Sequence, residues 1–249
     1  MLERRGNRRR IRAPEGPDRA RSICEDQQVL TSETIATTTL PDGGKMSLLH
    51  RGTEWLILVD GVVLMASRRH DSEEALASEA FGLVPHAKSV LVGGLGMGYT
   101  LRAVLDRLPA DGHVVVAELV EALIDWNRSH LGQLSDFPLD DSRCEASSID
   151  VYQAIAQKSQ AYDLILLDVD NGPSALTTED NRRLYRESGI RACRAALKNR
   201  GVLAVWSAGP SPEYERLLRQ SGFQPSAKRV SAFGKSRSRH LLYLAQKTS

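Results

Sequence analysis

Four consecutive candidate strands of this chain each lead to glycines or a carboxylate, and those ends are where its chemistry must lie. Val90-Leu91-Val92 runs into Gly93-Gly94-Leu95-Gly96-Met97-Gly98, and the next run closes on Glu118. Asp150 lies in the segment after a third candidate strand, and Leu164-Ile165-Leu166-Leu167 ends on Asp168-Val169-Asp170-Asn171-Gly172-Pro173. Glycines let a backbone turn tightly and approach a ligand where a Cβ would collide. An acid at the end of the second strand can accept hydrogen bonds from a ribose held beside that turn. Asp150 is suited both to cap a helix and to receive an adenine amino group. A carboxylate closing a strand as apolar as Leu164–Leu167 is costly to bury without a partner, so Asp168 is expected to face a pocket. Asp170 is either turn chemistry, in Asp-Asn-Gly-Pro, or a second acid beside the first.

The glycine spacing narrows the nucleoside. A dinucleotide fingerprint needs G-x-G-x-x-G/A, and counting from Gly94 and Gly96 the last position falls on Tyr99. No G-x-x-x-x-G-K-S/T phosphate loop occurs, which removes support for triphosphate hydrolysis. Gly93, Gly94, Gly96 and Gly98 followed by Glu118 suit a ligand with adenosine and no pyrophosphate, such as S-adenosylmethionine. A plain structural turn or a degenerate NAD site are the alternatives.

The elements that must position these residues read as a regular alternation. Strands are expected at Ser89–Gly93, His113–Glu118, Arg143–Ser147, Leu164–Asp168 and Val202–Ser207, with helices starting at Tyr99, Val120, Asp150, Thr178 and Ser211. This is the pattern of an α/β, doubly wound, Rossmann-like sheet, which carries ligands beyond the carboxyl ends of its strands. Ser226–Phe233 and Arg239–Ala245 read as a terminal antiparallel hairpin, the layout of a class I methyltransferase-type sheet. Upstream, Glu33–Leu40, Met46–His50, Trp55–Val59 and Val62–Ser67 read as a small β-meander, with Asp60-Gly61 as a hairpin turn. Asp71-Ser72-Glu73-Glu74 reads as the cap of a helix running to about Val84. The expected domains are therefore a disordered basic arm (1–28), a small β-domain (29–70) and a nucleoside-binding α/β domain (71–249).

Composition bounds the rest. The chain has 249 residues and a formal net charge of +2, ordinary for a globular protein with a sizeable core. Arg4, Arg5, Arg8, Arg9, Arg10, Arg12, Arg19 and Arg21 crowd the start with Pro14 and Pro17, which argues for a solvated segment. No apolar run suits a secretory signal or a bilayer span, so the expected location is cytoplasmic. Cys24, Cys144 and Cys193 fit neither a disulfide framework nor a zinc site, and no metal is expected. Lys228, Arg229, Lys235, Arg237, Arg239 and His240 make the terminal hairpin basic. With only Phe233 interleaved, an exposed turn is favoured over a nucleic-acid surface.

At the glycine loop and strand-end acids, the chain resembles the spermidine synthase family, over roughly Glu33 to Gln246. The resemblance includes the hairpin Leu58-Val59-Asp60-Gly61-Val62-Val63, the Glu73-Glu74 helix, Gly93–Gly98, Glu118, Asp150 and Asp168–Pro173. It implies that the glycine loop and Glu118 hold the nucleoside, that Asp150 contacts adenine, and that Asp168 helps to deprotonate an attacking amine. Three departures accompany it. The family's Gly-Gly-Gly-Asp-Gly-Gly loop carries an acid that meets the charged part of the nucleoside, whereas Leu95-Gly96-Met97 carries none. Ser72-Glu73-Glu74 stands where the family has Tyr-His-Glu. The acid spacing of the Asp168 loop is altered. The resulting expectation is an S-adenosylmethionine-dependent transferase moving a methyl group to a small molecule, with Asp168 as base or amine-orienting group and Asp170 assisting. The alternatives are aminopropyl transfer from decarboxylated S-adenosylmethionine to putrescine, or a non-catalytic nucleoside-binding protein. A small-molecule acceptor such as an amine, and a homodimer, complete the expected partners.

Overall fold

The computed structural model describes residues 31–169, 172–174, 179–231 and 239–248. The basic arm, Asp170 and the tip of the terminal hairpin lie outside them, so the expectations placed there are not addressed by the structure.

Two sheets make up the fold. The first is a four-stranded antiparallel meander, β1 (Ser32–Thr39), β2 (Lys45–Arg51), β3 (Glu54–Val59) and β4 (Val62–Ala66), in that spatial order. The Asp60-Gly61 turn has both residues at positive φ, 49° and 80°, as a tight hairpin between twisted strands requires.

The second sheet has seven strands: β5 (Ser89–Gly93), β6 (His113–Glu118), β7 (Cys144–Ser148), β8 (Tyr162–Leu167), β9 (Leu197–Ser207), β10 (Phe223–Ser231) and β11 (Arg239–Lys247). Their order is β10-β11-β9-β8-β5-β6-β7. Pairings from β7 to β9 are parallel, whereas β11 runs antiparallel to β9 and β10 antiparallel to β11. This is the doubly wound sheet with a terminal hairpin expected from the sequence. The chain leaves β5 for β6 on one side and returns to β8 on the other, so the switch point of the sheet falls at the Gly93 end of β5, where such folds open a ligand crevice.

Helices cover both faces. They are α1 (Asp71–Leu83), α2 (Tyr99–Leu105), α3 (Glu121–Trp126), α4 (Val151–Ala156), α5 (Glu179–Tyr185), α6 (Glu187–Ala196) and α7 (Pro212–Gln220). One core layer joins Leu76, Ala80, Leu101 and Leu105 of α1 and α2 to Val90, Val92, Leu164 and Leu166 of the sheet. The other joins Leu91, Ile165, Leu203 and Val205 to Ile155, Ile190 and Leu218. The alternation of Leu91 with Val90 and Val92 between these layers is the period of two that a central strand buried on both faces imposes. A third cluster packs Met46, Leu48 and Ile57 of the meander against Met97, Tyr99, Leu123 and Trp126. The meander thus shares its core with the glycine turn and with α2 and α3. Ser32–Ser249 forms one compact unit. No helix among the described residues is long and apolar enough to cross a membrane.

One sequence expectation is corrected here. Asp71-Ser72-Glu73-Glu74 does not cap α1: the N-cap is His70, no side chain caps the helix, and the acids lie in its first turn. Asp71, Glu73 and Glu74 favour that end through the helix dipole, but Glu73 is buried, which a cap on an exposed helix end would not be.

Candidate active site

The glycine turn is shaped by how close other backbone comes to it. Gly94 has φ +88°, and a Cβ there would stand 2.4 Å from the carbonyl oxygen of Asp168, so only glycine fits. The amide of Asp168 in turn donates to the carbonyl of Gly93 at 2.9 Å, and that of Gly94 to Ala117 at 2.9 Å. The ends of β5, β6 and β8 are laced together by these bonds. Gly98, at φ +83°, is the N-cap of α2 and lies against Ser135 and Asn127. Gly96 packs against Met65 of the meander.

Two polar residues that the sequence reading passed over fix this loop. Asn127 is buried and donates through Nδ2 to the carbonyls of Gly96 and Leu123, both at 2.8 Å. It opens the π-helical turn Asn127–Leu131 after α3, a local widening often associated with functional sites. Ser135 donates to the carbonyl of Met97 at 3.1 Å. Their local sequence, Asn-Arg-Ser-His and Gln-Leu-Ser-Asp, carries no sign of these long-range bonds.

Glu118 closes β6 and is buried. One carboxylate oxygen accepts from Leu95 N at 2.9 Å and the other from Val120 N at 2.8 Å, so Glu118 braces the glycine loop from beneath. A carboxylate has about four lone-pair sites, so this bracing is compatible with acceptance from a ribose diol. Asp150 caps α4, accepting from Gln153 N at 2.9 Å, as its sequence context predicts. The same oxygen accepts from Arg183 of α5 at 2.6 Å, and the Arg183 guanidinium lies 4.7 Å from the centre of the Tyr152 ring. Arg183 and Asp150 meet through the fold across two intervening elements, which is why local sequence does not pair them.

Asp168 sits just past β8, half-buried, and accepts from Thr100 Oγ1 of α2 at 2.8 Å. Burial pushes its carboxyl up to about 6, against the lowering effect of the Thr100 bond. Glu73 approaches from α1. It accepts from Ser72 Oγ at 2.6 Å. Its carboxyl is pushed up to about 8, first by burial and then by the negative charge of Asp168. Beside this pair, Tyr99 donates to the carbonyl of Ser67 at 2.9 Å. The His70 ring stacks on Tyr99 at 4.2 Å and bonds Glu74 at 2.7 Å. Burial and the Glu73 charge raise the Tyr99 phenol to about 12.

The structure therefore gathers Gly93, Gly94, Gly96, Gly98, Glu118 and Asp168 at the switch point of the sheet. Asp150 lies at the end of the neighbouring β7. Glu73 is the addition that sequence reading missed. Among the described residues no lysine, arginine or histidine forms an ion pair with Asp168 or Glu73. Two crowded carboxyls with raised proton affinity and no counter-ion form a receptor for a cation, or an acceptor for a proton. The two described cysteines are free thiols: Cys144 is half-buried, Cys193 is buried, and burial pushes both up to about 12.

Comparison with known proteins bears on the family and the fold. The profile of the spermine/spermidine synthase domain matches residues 70–230. Polyamine aminopropyltransferase 2 of Pseudomonas aeruginosa is 30% identical over 159 residues, 60% of this chain and 42% of that protein. Polyamine aminopropyltransferase 1 of Hyperthermus butylicus is 26% identical over 166 residues, 64% of this chain and 55% of that protein. The chain spans about half the length of these curated relatives. The crystal structure of spermidine synthase from Thermotoga maritima superposes with a TM-score of 0.68 at 21% identity, covering 86% of this chain and 72% of that one. A spermidine synthase in complex with the transition-state analogue AdoDATO gives the same values. The matched segment contains the glycine loop, Glu118, Asp150, Asp168 and Glu73, and the chain belongs to the spermine/spermidine synthase domain family.

Proposed function

We propose that this chain transfers an aminopropyl group from decarboxylated S-adenosylmethionine to a small amine, putrescine being the acceptor that the family resemblance implies. The methyl transfer expected from the sequence gives way to this reading, because the relatives are named for aminopropyl transfer. The observation that carries it is the Asp168–Glu73 carboxyl pair at the Gly94 end of the sheet, with no basic partner among the described residues.

The positively charged sulfur of the donor is already a good leaving group. The protein's task is to hold the acceptor in line and keep its nitrogen unprotonated. A neutral amine nitrogen attacks the carbon bonded to sulfur, a C–N bond forms, and the C–S bond breaks with its electron pair returning to sulfur as a neutral thioether. The proton that the new secondary ammonium sheds passes to a carboxylate. That role is assigned to Asp168, supported by a proton affinity raised toward the operating range and by the Thr100 bond that orients it. The glycine loop, Glu118 and Asp150 are assigned to the adenosine half. The test is to incubate the protein with decarboxylated S-adenosylmethionine or S-adenosylmethionine and a panel of amines, and to identify the product by mass. A product enlarged by an aminopropyl group from the decarboxylated donor alone supports the proposal. A methylated product, or tight nucleoside binding with no turnover on any amine, refutes it.

A further inference from the structure

We propose that Glu73 is the residue that receives the donor's terminal ammonium and sets its preference for the decarboxylated nucleoside, taking over from the acid that the glycine loop lacks. The inference rests on the aminopropyl-transfer reading and names the residue that would give it specificity.

The glycine loop presents only Leu95 and Met97 between its glycines, both buried, so the charge of an ammonium tail has no partner there. Glu73 comes from a different element, the first turn of α1, and is 9% exposed. Its surroundings locate it at the same end of the sheet. Its amide donates to the carbonyl of His70 at 3.1 Å, the His70 ring stacks on Tyr99, the first residue of α2 directly after the loop, and the adjoining Thr100 donates to Asp168 at the end of β8. Its carboxylate accepts a hydrogen bond from the hydroxyl of Ser72 on the same helix. Burying a carboxylate beside another carboxylate is unfavourable unless a proton or a cation joins them. An ammonium supplies several donors and a positive charge, and satisfies both.

The same two charges discriminate between donors. The decarboxylated nucleoside ends in an ammonium alone. S-adenosylmethionine carries a carboxylate on the adjoining carbon, which would enter a site with two acids. The His70 ring beside this position is stacked on Tyr99 and bonded to Glu74. The site thus attracts one donor and repels part of the other.

The experiment is calorimetric titration of the full chain and of Glu73→Gln with three ligands: decarboxylated S-adenosylmethionine, S-adenosylmethionine and methylthioadenosine, which lacks the charged tail. In the native protein the decarboxylated donor should bind most tightly. Glu73→Gln should weaken that ligand by about ten- to a hundredfold, the range for a hydrogen bond to a charged group. Methylthioadenosine should stay within about twofold, which also reports that the variant is folded with its adenosine site intact. Glu73→Asp should recover part of the loss. Equal weakening of all three ligands, or none, overturns the assignment. A native protein that prefers the decarboxylated donor with a variant that keeps the preference overturns Glu73 alone. A native protein that binds none of the three refutes the proposed function, and the assignment with it.

Discussion

Replacing Glu73 by glutamine should make the unliganded protein more stable, and the gain should appear only above a particular pH. The Glu73 carboxyl is raised from 4.5 to about 8 in the folded chain by burial and by the charge of Asp168. Between those values the folded state holds a proton that the unfolded state has released. The unfolded state then binds fewer protons, and stability falls as pH rises through the window. Each pH unit costs about 1.4 kcal/mol, so the loss from pH 4.5 to pH 7 is on the order of 3 kcal/mol. Glutamine keeps the size of the side chain, accepts from Ser72, and removes the titration. Urea unfolding of both proteins, followed by tryptophan fluorescence at intervals from pH 4.5 to pH 8.5, reads the effect. The curves should coincide near pH 4.5 and diverge by on the order of 2–3 kcal/mol at pH 7, with the variant above. In thermal scans near pH 7 this is a rise of roughly 5–10 °C for a chain of this length. Parallel curves across the window, or a variant less stable at every pH, would show that Glu73 is neither buried nor opposed by Asp168 as described.

Other outcomes follow from the same geometry. Asp168→Asn should lower kcat/KM by about a hundredfold or more, the usual range for a general base, while calorimetric affinity for methylthioadenosine is retained. In the native enzyme kcat/KM should fall as the pH drops below about 6, because protonation of Asp168 removes the base; a profile that does not change between pH 5 and pH 8 contradicts this. Gly94→Ala should cost at least about 2 kcal/mol in denaturant unfolding, combining a left-handed backbone with a Cβ 2.4 Å from the Asp168 carbonyl oxygen. Asn127→Ala should cost about 1–3 kcal/mol by leaving the Gly96 and Leu123 carbonyls without its amide, and should speed hydrogen exchange in the glycine loop.

The central parallel strands were legible because they are continuous apolar runs, and runs such as Leu164–Leu167 suit a strand covered on both faces. Asp150 was legible as a cap because capping acts within three residues. The beginning of β9 was not: Lys198, Asn199 and Arg200 look like a loop, yet they join the strand, with Arg200 at φ 62°. Lys198 reaches across to Asp163 at 3.0 Å, a pairing that only the assembled sheet creates. Glu73 was misread for the same kind of reason. In the sequence it is one of several acids at a helix start, where the dipole explains it. Its burial accompanies the packing of α1 against α2 and the strands β8 and β9, segments separated from it in the chain. Arg183, Asn127 and Ser135 are likewise joined to the site by contacts between distant segments. Local pattern identifies residues whose role is set by the backbone around them, and passes over those placed by tertiary packing.

In the proposed reaction the strand-end acids serve transfer to an amine from a decarboxylated donor. The most direct measurement is product analysis after incubation with decarboxylated S-adenosylmethionine and putrescine, run beside the same mixture containing Asp168→Asn. The native chain should yield an aminopropylated amine and methylthioadenosine in equal amounts, and the variant at least about a hundredfold less. Equal yields from both proteins, or no aminopropylated product from the native chain, would contradict it.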